Sequence, residues 1–346
     1  MIASRKTSGL WFFLVLAVSC VTASPEPNAK GLLSRQDEAS PVSKTTFIYK
    51  RIANADIKAD VYRPREAGLR PVIIWIHGGA LIFGSRSMLP ADELGLFLEA
   101  GFVVVAIDYR LAPETKLPEI LNDVDDALHW VRTEGPLLFN ADPARIAVVG
   151  QSAGAYLALM EGARALPRIR AIVSFYGYGN ISGDWYSRPN TVFLKQRPVT
   201  KEEAYLVVGG PVLSESTPGQ RDTFYVYCRQ TGLWPLEVTS IDPHLRPHDF
   251  APYNPEGLVT ASYPPTFLLH GDRDTEVPFL MSQRMADSLK RHRVEYHFYR
   301  MKGFNHLFDV YPDGLPPEGH AIGLRNPQVR LAFDEVMIFL KSRIGS

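Results

Sequence analysis

Buried strands and amphipathic helices alternate along most of the chain. The runs at 72–76 and 102–107 are apolar at every position, as in strands that are covered on both faces, whereas 122–132 has apolar residues at helical spacing. The same alternation predicts strands at 145–149, 169–175, 266–270 and 294–299, and helices at 153–165, 279–291 and 327–344. This order of elements predicts an α/β fold, with a mostly parallel central sheet and helices on both of its faces.

Three segments depart from this alternation. Residues 46–51 and 57–62 predict a hairpin of short strands, and they follow a leader at 24–45 that is rich in Pro, Ser, Ala and charged residues and is expected to be flexible. The stretch at about 176–265 is dense in Pro, Gly and aromatic residues. A loop of roughly 90 residues is uncommon without elements of its own, so we expect an inserted lid with its own helices. The predicted domain therefore covers 46–346.

Length, composition and charge limit the partners. The 346 residues suit one large α/β domain or two small ones, and 46% hydrophobic with 21% charged residues is the composition of a globular protein. Lys plus Arg and Asp plus Glu both number 37. Because the chain has no net charge, it has no net field that would concentrate nucleic acid or anionic lipid. We expect no nucleic-acid partner, and the oligomeric state stays open.

The N-terminus predicts an export signal at 1–23. Two basic residues precede an apolar run at 10–18, and a small-residue cleavage site follows at 21–23. A membrane anchor is the alternative, but the run is about half of the roughly 20 residues that a spanning helix needs, so no stable membrane span is expected. A lipoprotein box at 17–20 lacks the leading Leu of that motif. The prediction is secretion, with the sequon at Asn180 as a glycosylation site.

The pentapeptide Gly150-Gln151-Ser152-Ala153-Gly154 lies between a predicted strand and a predicted helix. A serine on such a tight turn needs small neighbours, and the turn lifts its hydroxyl to the carboxyl edge of the sheet. The positive end of the helix then points at any oxyanion that forms there. Gly-x-Ser-x-Gly also occurs by chance in ordinary strand–helix turns, so the motif alone does not identify a nucleophile. Its position directly after a predicted strand and before a predicted helix makes Ser152 the candidate nucleophile.

A serine hydroxyl is a weak nucleophile unless a histidine accepts its proton and an acid orients that histidine. His306 follows the last predicted strand and is the candidate base. Asp274 lies four residues after His270, just beyond a strand, and is the candidate acid, with Asp272 and Glu276 as alternatives. We interpret His270 as a hydrogen-bonded structural residue.

The segment His77-Gly78-Gly79-Ala80 follows the buried strand at 72–76. Acyl transfer builds negative charge on the substrate oxygen, and glycines allow backbone N–H donors to approach it. A strand-terminal turn with a core histidine is the alternative interpretation. Metal catalysis would need several ligands at workable spacing, and the near pair His244 and His248 is interrupted by Pro247. We therefore expect neither a metal nor a cofactor.

In this order the motifs resemble the α/β-hydrolase superfamily, and within it the hormone-sensitive-lipase-like esterases and carboxylesterases. The resemblance covers about 46–344 except the lid, and it includes Asp108-Tyr109-Arg110-Leu111-Ala112-Pro113-Glu114 and the pair Val277-Pro278. It implies that Ser152 attacks the substrate carbonyl, His306 transfers the proton and Asp274 orients His306. It also implies an oxyanion hole built from the backbone of Gly78, Gly79, Ala80 and Ala153, with the segment 108–114 as its support.

Two features depart from the family pattern. Ala80 stands where a third glycine is usual, and the acid segment Asp-x-Asp-x-x-Val-Pro is closer to peptidase-like and dienelactone-hydrolase-like relatives. The predicted reaction is hydrolysis of a carboxylic ester of a small or medium apolar molecule, through an acyl-enzyme on Ser152. Amide or peptide hydrolysis with the same triad and a non-hydrolytic binding role are the alternatives. Aromatic residues in the lid either line an acyl pocket or simply pack.

Overall fold

The computed structural model describes residues 42–52, 55–217, 219–310 and 323–345, so the predicted signal and most of the leader lie outside the described residues. The strands are β1 Val42–Ile52, β2 Ala55–Pro64, β3 Arg70–Ile76, β4 Val103–Ile107, β5 Ala141–Gln151, β6 Ala171–Phe175, β7 Thr266–Gly271 and β8 Tyr296–Met301. The helices are α1 Ala91–Glu99, α2 Leu117–Thr133, α3 Gly135–Phe139, α4 Ala153–Arg164, α5 Asp184–Ser187, α6 Lys201–Tyr205, α7 Asp222–Thr231, α8 Trp234–Thr239, α9 Pro255–Leu258, α10 Leu280–Arg291 and α11 Pro327–Ile344. Short 3-10 turns lie at Arg86–Met88, Phe193–Lys195, Pro247–Tyr253 and Gly323–Arg325.

All eight strands form one sheet in the order β1-β2-β4-β3-β5-β6-β7-β8. β2 pairs antiparallel with both β1 and β4, and every other neighbouring pair is parallel. Strands that are joined by crossover helices must run parallel, and the carboxyl ends of these parallel strands meet at one edge. The predicted mostly parallel α/β sheet is confirmed.

The central strands of the sheet are buried on both faces. Alternate residues of β3 point into two different clusters, Ile74 with α2, α4 and α10 on one face and Trp75 with α1 and α11 on the other. Every residue of β3 from Pro71 to Ile76 is buried. This two-sided burial explains why β3 is a continuous apolar run rather than an alternating one.

The first strand begins earlier than the sequence predicts. β1 starts at Val42, so residues 42–45 belong to the sheet and the leader boundary at 45 is wrong. β1 is an edge strand whose outer residues are exposed, and its polar side chains pair across to β2, as Lys44 does with Asp60 at 2.8 Å. A strand held by polar cross-strand pairs lacks the apolar alternation by which strands are recognised.

Helices α5 to α9 lie between β6 and β7, and no strand interrupts them among the described residues of this insertion. Helix α1 was not predicted, because Gly95 interrupts its apolar spacing and the polar residue Glu93 is buried. Within the described ranges, no helix is both long and apolar enough to cross a membrane.

Candidate active site

Ser152 occupies a sharp turn between β5 and α4. Its backbone has φ 52° and ψ −116°, a conformation that side-chain-bearing residues rarely adopt. A Cβ on Gly150 would lie 2.2 Å from the carbonyl oxygen of Gly154, and a Cβ on Gly154 would lie 2.1 Å from that of Ile76. Both glycines are therefore required sterically, and the turn lifts the serine side chain to the carboxyl edge of the sheet.

The imidazole of His306 bridges Ser152 and Asp274. Its Nε2 lies 3.0 Å from Ser152 Oγ, and its Nδ1 lies 2.6 Å from Asp274 Oδ2. Ser152 is 8% exposed, and the carboxylate of Asp274 is fully buried. Because Nδ1 faces a carboxylate it carries the proton, which leaves the lone pair of Nε2 toward the serine hydroxyl. The arrangement can remove a proton from Ser152.

Burial and charge oppose each other at this pair. Burial favours the neutral acid, but attraction to His306 and hydrogen bonds from His270 and His306 outweigh it, so the pKa of Asp274 lies well below its usual range. Burial lowers the pKa of His306, but the neighbouring Asp274 carboxylate raises it more, and the net shift is upward. The carboxylate therefore stabilises the imidazolium that forms when the ring accepts a proton.

The structure places only Asp274 of the three candidate acids against His306. Asp272 instead pairs with Arg300 at 2.8 Å and accepts from the backbone N–H of Gly303 at 2.7 Å. Glu276 accepts from the hydroxyl of Tyr225 at 3.0 Å. The loop after β7 thus turns the carboxylate of Asp274 toward His306. Asp272 instead contacts the exposed Arg300, and Glu276 contacts Tyr225 of the insertion.

His270 contacts the candidate acid directly, which the sequence did not predict. Its Nε2 lies 3.1 Å from Asp274 Oδ2 and 3.1 Å from the carbonyl of Val277, and its Nδ1 lies 2.7 Å from Ser282 Oγ. Both acceptors facing Nε2 require a proton there, so Nδ1 accepts from Ser282. His270 is a buried structural residue, as interpreted, and it also fixes the carboxylate of Asp274.

A buried acidic pair is bound to Gln151, the residue before Ser152. Gln151 Nε2 donates to Glu93 Oε1 at 2.9 Å and to Asp309 Oδ2 at 3.0 Å. Tyr176, whose ring lies edge-on to His306 at 4.5 Å, donates to Asp309 Oδ1 at 2.7 Å. Burial and the adjacent Asp309 hold the pKa of Glu93 well above its usual range. Gln151 therefore connects the turn to an acid pair that the sequence did not reveal.

The loop at 77–84, which we call the oxyanion loop, has three consecutive carbonyls that accept hydrogen bonds. The carbonyls of His77 and Gly78 accept from the hydroxyl of Tyr109 at 3.0 and 3.2 Å, and that of Gly79 accepts from the N–H groups of Ile82 and Phe83. In a trans peptide the N–H points away from the carbonyl. The amides of Gly78, Gly79 and Ala80 therefore point away from these partners.

Backbone amides of the oxyanion loop and of the first residue of α4 remain available as hydrogen-bond donors. Those of Gly79, Ala80 and Ala153 donate to no acceptor within the part of the chain that the structure describes. Gly78 lies against Ser152, since a Cβ on Gly78 would approach Ser152 Cβ to 3.2 Å. The arrangement can bind an oxyanion beside Ser152.

The segment 108–114 supports this loop. Tyr109 stacks on His77 at 4.2 Å, and the N–H of Ala112 donates to the carbonyl of Leu81 at 2.8 Å. Arg110 forms a salt bridge with Asp123 at 2.7 Å and so has a structural role.

Asn180 is engaged through both atoms of its amide. Nδ2, to which a glycan would attach, donates to Glu256 at 3.0 Å, and Oδ1 accepts from the N–H groups of Ser182 and Gly183. These contacts do not favour the predicted glycosylation. No three His, Cys, Asp or Glu side chains of the described ranges converge in the way that a metal ion requires.

A family model described as alpha/beta hydrolase fold matches residues 73–310, well over half of the chain. The chain belongs to the alpha/beta hydrolase family. The predicted family, fold and hydrolase class are confirmed. This hydrolase is similar in structure to an alpha/beta hydrolase superfamily protein from Enterococcus faecalis, with 23% identity and a TM-score of 0.67, covering 87% of this chain and 99% of the other.

Two further comparisons concern proteins with more specific names. A hyperthermophilic esterase from Pyrobaculum calidifontis shares 25% identity at a TM-score of 0.61, covering 88% of this hydrolase and 86% of the esterase. A non-reducing polyketide synthase, mapC' of Penicillium brevicompactum, is 28% identical over 344 residues, covering 86% of this chain. The hydrolase spans only 16% of that synthase.

Proposed function

We propose that this hydrolase cleaves a carboxylic ester of a small or medium apolar molecule through an acyl-enzyme on Ser152. The observation that carries the proposal is the imidazole of His306, which lies within hydrogen-bond distance of both Ser152 and Asp274. The similarity to the Pyrobaculum calidifontis esterase supports an ester as substrate.

The geometry supports a two-step reaction. His306 Nε2 takes the proton of Ser152 as Oγ attacks the carbonyl carbon, and negative charge moves to the carbonyl oxygen, where the amides of Gly79, Ala80 and Ala153 receive it. Collapse of this intermediate expels the alcohol, which takes the proton from His306. Water then attacks the acyl-enzyme in the same way, with His306 again as base, and releases the acid and the free serine.

The decisive test is covalent labelling combined with turnover. A fluorophosphonate probe should label the wild type and the Asp272→Asn variant but not Ser152→Ala, and only the labelled proteins should hydrolyse p-nitrophenyl esters. A folded wild type that neither labels nor hydrolyses any ester in a panel of acyl lengths would favour the non-hydrolytic binding role. Faster cleavage of matched anilides than of esters would favour the amidase alternative.

A second candidate substrate is a thioester of a polyketide-type acyl group. It is favoured by the similarity to the polyketide synthase, of which this chain would correspond to one region. The same triad attacks a thioester carbonyl, with a thiol as leaving group. Matched oxygen esters and N-acetylcysteamine thioesters of one aromatic acyl group distinguish the candidates by their kcat/KM values.

We further propose export from the cell, based on the predicted signal at 1–23. Expression of the full chain in a secreting host, followed by N-terminal sequencing of the secreted protein, tests this. A mature N-terminus at Ser24 supports cleavage after Ala23, and retention of the intact chain inside the cell contradicts the proposal.

A further inference from the structure

The oxyanion loop contains two consecutive residues that carry side chains and yet have positive φ. Ala80 has φ 53° and Leu81 has φ 62°, and both are buried. Each such residue with a side chain costs roughly 1–2 kcal/mol relative to its ordinary conformation. A backbone of this kind persists only where surrounding contacts hold it in place. The contacts that hold Ala80 therefore decide where its amide points.

The carbonyl of Ala80 accepts a hydrogen bond from the inserted segment rather than from the sheet domain. The donor is the indole Nε1 of Trp234, at 2.9 Å, on the first residue of α8. Arg221 makes a second contact with the loop, at the carbonyl of Ile82, but its guanidinium also binds both carboxylate oxygens of Glu114. The indole N–H is a single donor, and Ala80 is the acceptor that the structure gives it.

The indole is fixed in place by its neighbours. Trp234 is fully buried, and its ring stacks on Tyr186 with centroids 4.0 Å apart and planes at 8°. Tyr178 meets the same ring edge-on at 6.4 Å. The guanidinium of Arg229 lies 4.6 Å from the ring centroid of Tyr186, which is the ring that stacks on Trp234. A buried donor on a ring held this way cannot reorient without leaving both N–H and carbonyl unsatisfied, which is costly.

We propose that Trp234 is a positioning residue. By holding the Ala80–Leu81 peptide through its carbonyl, it keeps Ala80 in the left-handed geometry that aims the Ala80 N–H at the oxyanion. This inference rests on the proposed function. Because Ala80 carries a side chain at a positive φ, the loop has a strained residue, and the insertion supplies its restraint. Trp234 makes no hydrogen bond or ring contact with Ser152 or His306, so its proposed effect passes through the loop.

The test replaces the donor and keeps an aromatic ring. Trp234→Phe removes the N–H, and a second variant with 3-benzothienylalanine at 234 keeps the bicyclic shape with sulfur in place of the N–H. Because a misplaced oxyanion donor weakens transition-state binding, we expect kcat per titrated serine to fall about 10- to 100-fold while KM changes less than about twofold. The Ki of a trifluoromethyl ketone, whose addition product places an oxyanion in the hole, should rise by a similar factor.

Trp185→Phe is the matched control. Trp185 belongs to the same aromatic stack and also donates its indole N–H to a carbonyl, that of Asn180 at 3.1 Å, which is remote in sequence from the oxyanion loop. Its kcat per titrated serine should stay within about twofold of the wild type. Total fluorophosphonate incorporation at completion gives the titrated fraction in each protein, so loss of folded protein is not counted as loss of kcat.

The outcomes separate the two proposals. Unchanged kcat in the benzothienyl variant overturns the role of Trp234 and leaves the proposed hydrolysis standing. An equal fall in Trp185→Phe, or loss of all titratable serine in both 234 variants, shows general structural support and also overturns it. No Ser152-dependent hydrolysis in the wild type overturns the proposed function, and the positioning role falls with it.

Discussion

Asp274→Asn probes the arrangement on which the proposed reaction depends. Asp274 Oδ1 accepts from the backbone N–H groups of Glu276 and Val277, both at 2.8 Å, while Oδ2 faces the rings of His306 and His270. An asparagine must keep its oxygen toward the two backbone donors, because its amide nitrogen cannot accept. The amide NH₂ then faces the rings, and His306 must present an unprotonated Nδ1 to it. The ring proton moves to Nε2, where it points at Ser152 and blocks proton abstraction.

The size of the effect follows from the charge that is lost. An imidazolium and a carboxylate with charge centres about 4 Å apart attract by about 4 kcal/mol at an effective dielectric constant near 20. Since about 1.4 kcal/mol corresponds to a factor of ten, removal of the carboxylate costs about a thousandfold in rate. The unfavourable tautomer adds to this, and we expect kcat to fall by about 10³- to 10⁴-fold.

The assay is kcat on a p-nitrophenyl ester per titrated serine, with Asp272→Asn as control. Asp272 pairs with Arg300, whose side chain is 63% exposed, and accepts from the N–H of Gly303. Its replacement should therefore leave kcat within about threefold. An Asp274→Asn protein that keeps more than a tenth of wild-type kcat, or a larger loss in Asp272→Asn, would refute the assignment of the acid.

Four further predictions follow from single features of the structure. Gly154→Ala should lower the free energy of unfolding in urea by about 3 kcal/mol or more, because the added Cβ would meet the carbonyl of Ile76 at 2.1 Å; an unchanged midpoint would contradict this. Ala80→Gly should raise the free energy of unfolding by up to about 1 kcal/mol, because glycine adopts the positive φ of this position without strain. It should keep kcat within about threefold, because the backbone N–H remains. A lower free energy of unfolding would contradict the strain at Ala80. The neighbouring Asp274 raises the pKa of His306 above the ordinary value of 6.5, and the ring must be neutral to accept a proton, so the acidic limb of kcat/KM should lie above pH 6.5; a limb below pH 6 would contradict this. Burial raises the pKa of Glu93, so the contribution of this residue to stability should fall as pH rises above about 4.5, where the unfolded chain releases its proton. Glu93→Gln should therefore make the change of unfolding free energy with pH less negative in urea titrations from pH 5 to 8, and an identical slope would exclude it.

Local patterns predicted the elements that position the nucleophile. β3 must be buried on both faces, and its residues from Pro71 to Ile76 are accordingly all apolar. The tight Gly-x-Ser-x-Gly turn has no room for a Cβ at Gly150 or Gly154, and both residues are glycine. Such requirements are visible in sequence because they act between residues a few positions apart. The first residues of β1 were not predicted as strand, because polar side-chain pairs with β2, such as Lys44 with Asp60, hold them in the sheet.

The order of strands and helices, the tight turn at Ser152 and a short set of candidate partners for this serine all follow from the amino-acid sequence. The folded structure selects Asp274 over Asp272 and Glu276, because the choice depends on which carboxylate the loop after β7 turns toward a histidine from the loop after β8. It likewise revealed the indole of Trp234 on the carbonyl of Ala80. Hydrogen bonds between residues far apart in the chain depend on the folded path between them, and no local spacing encodes that path.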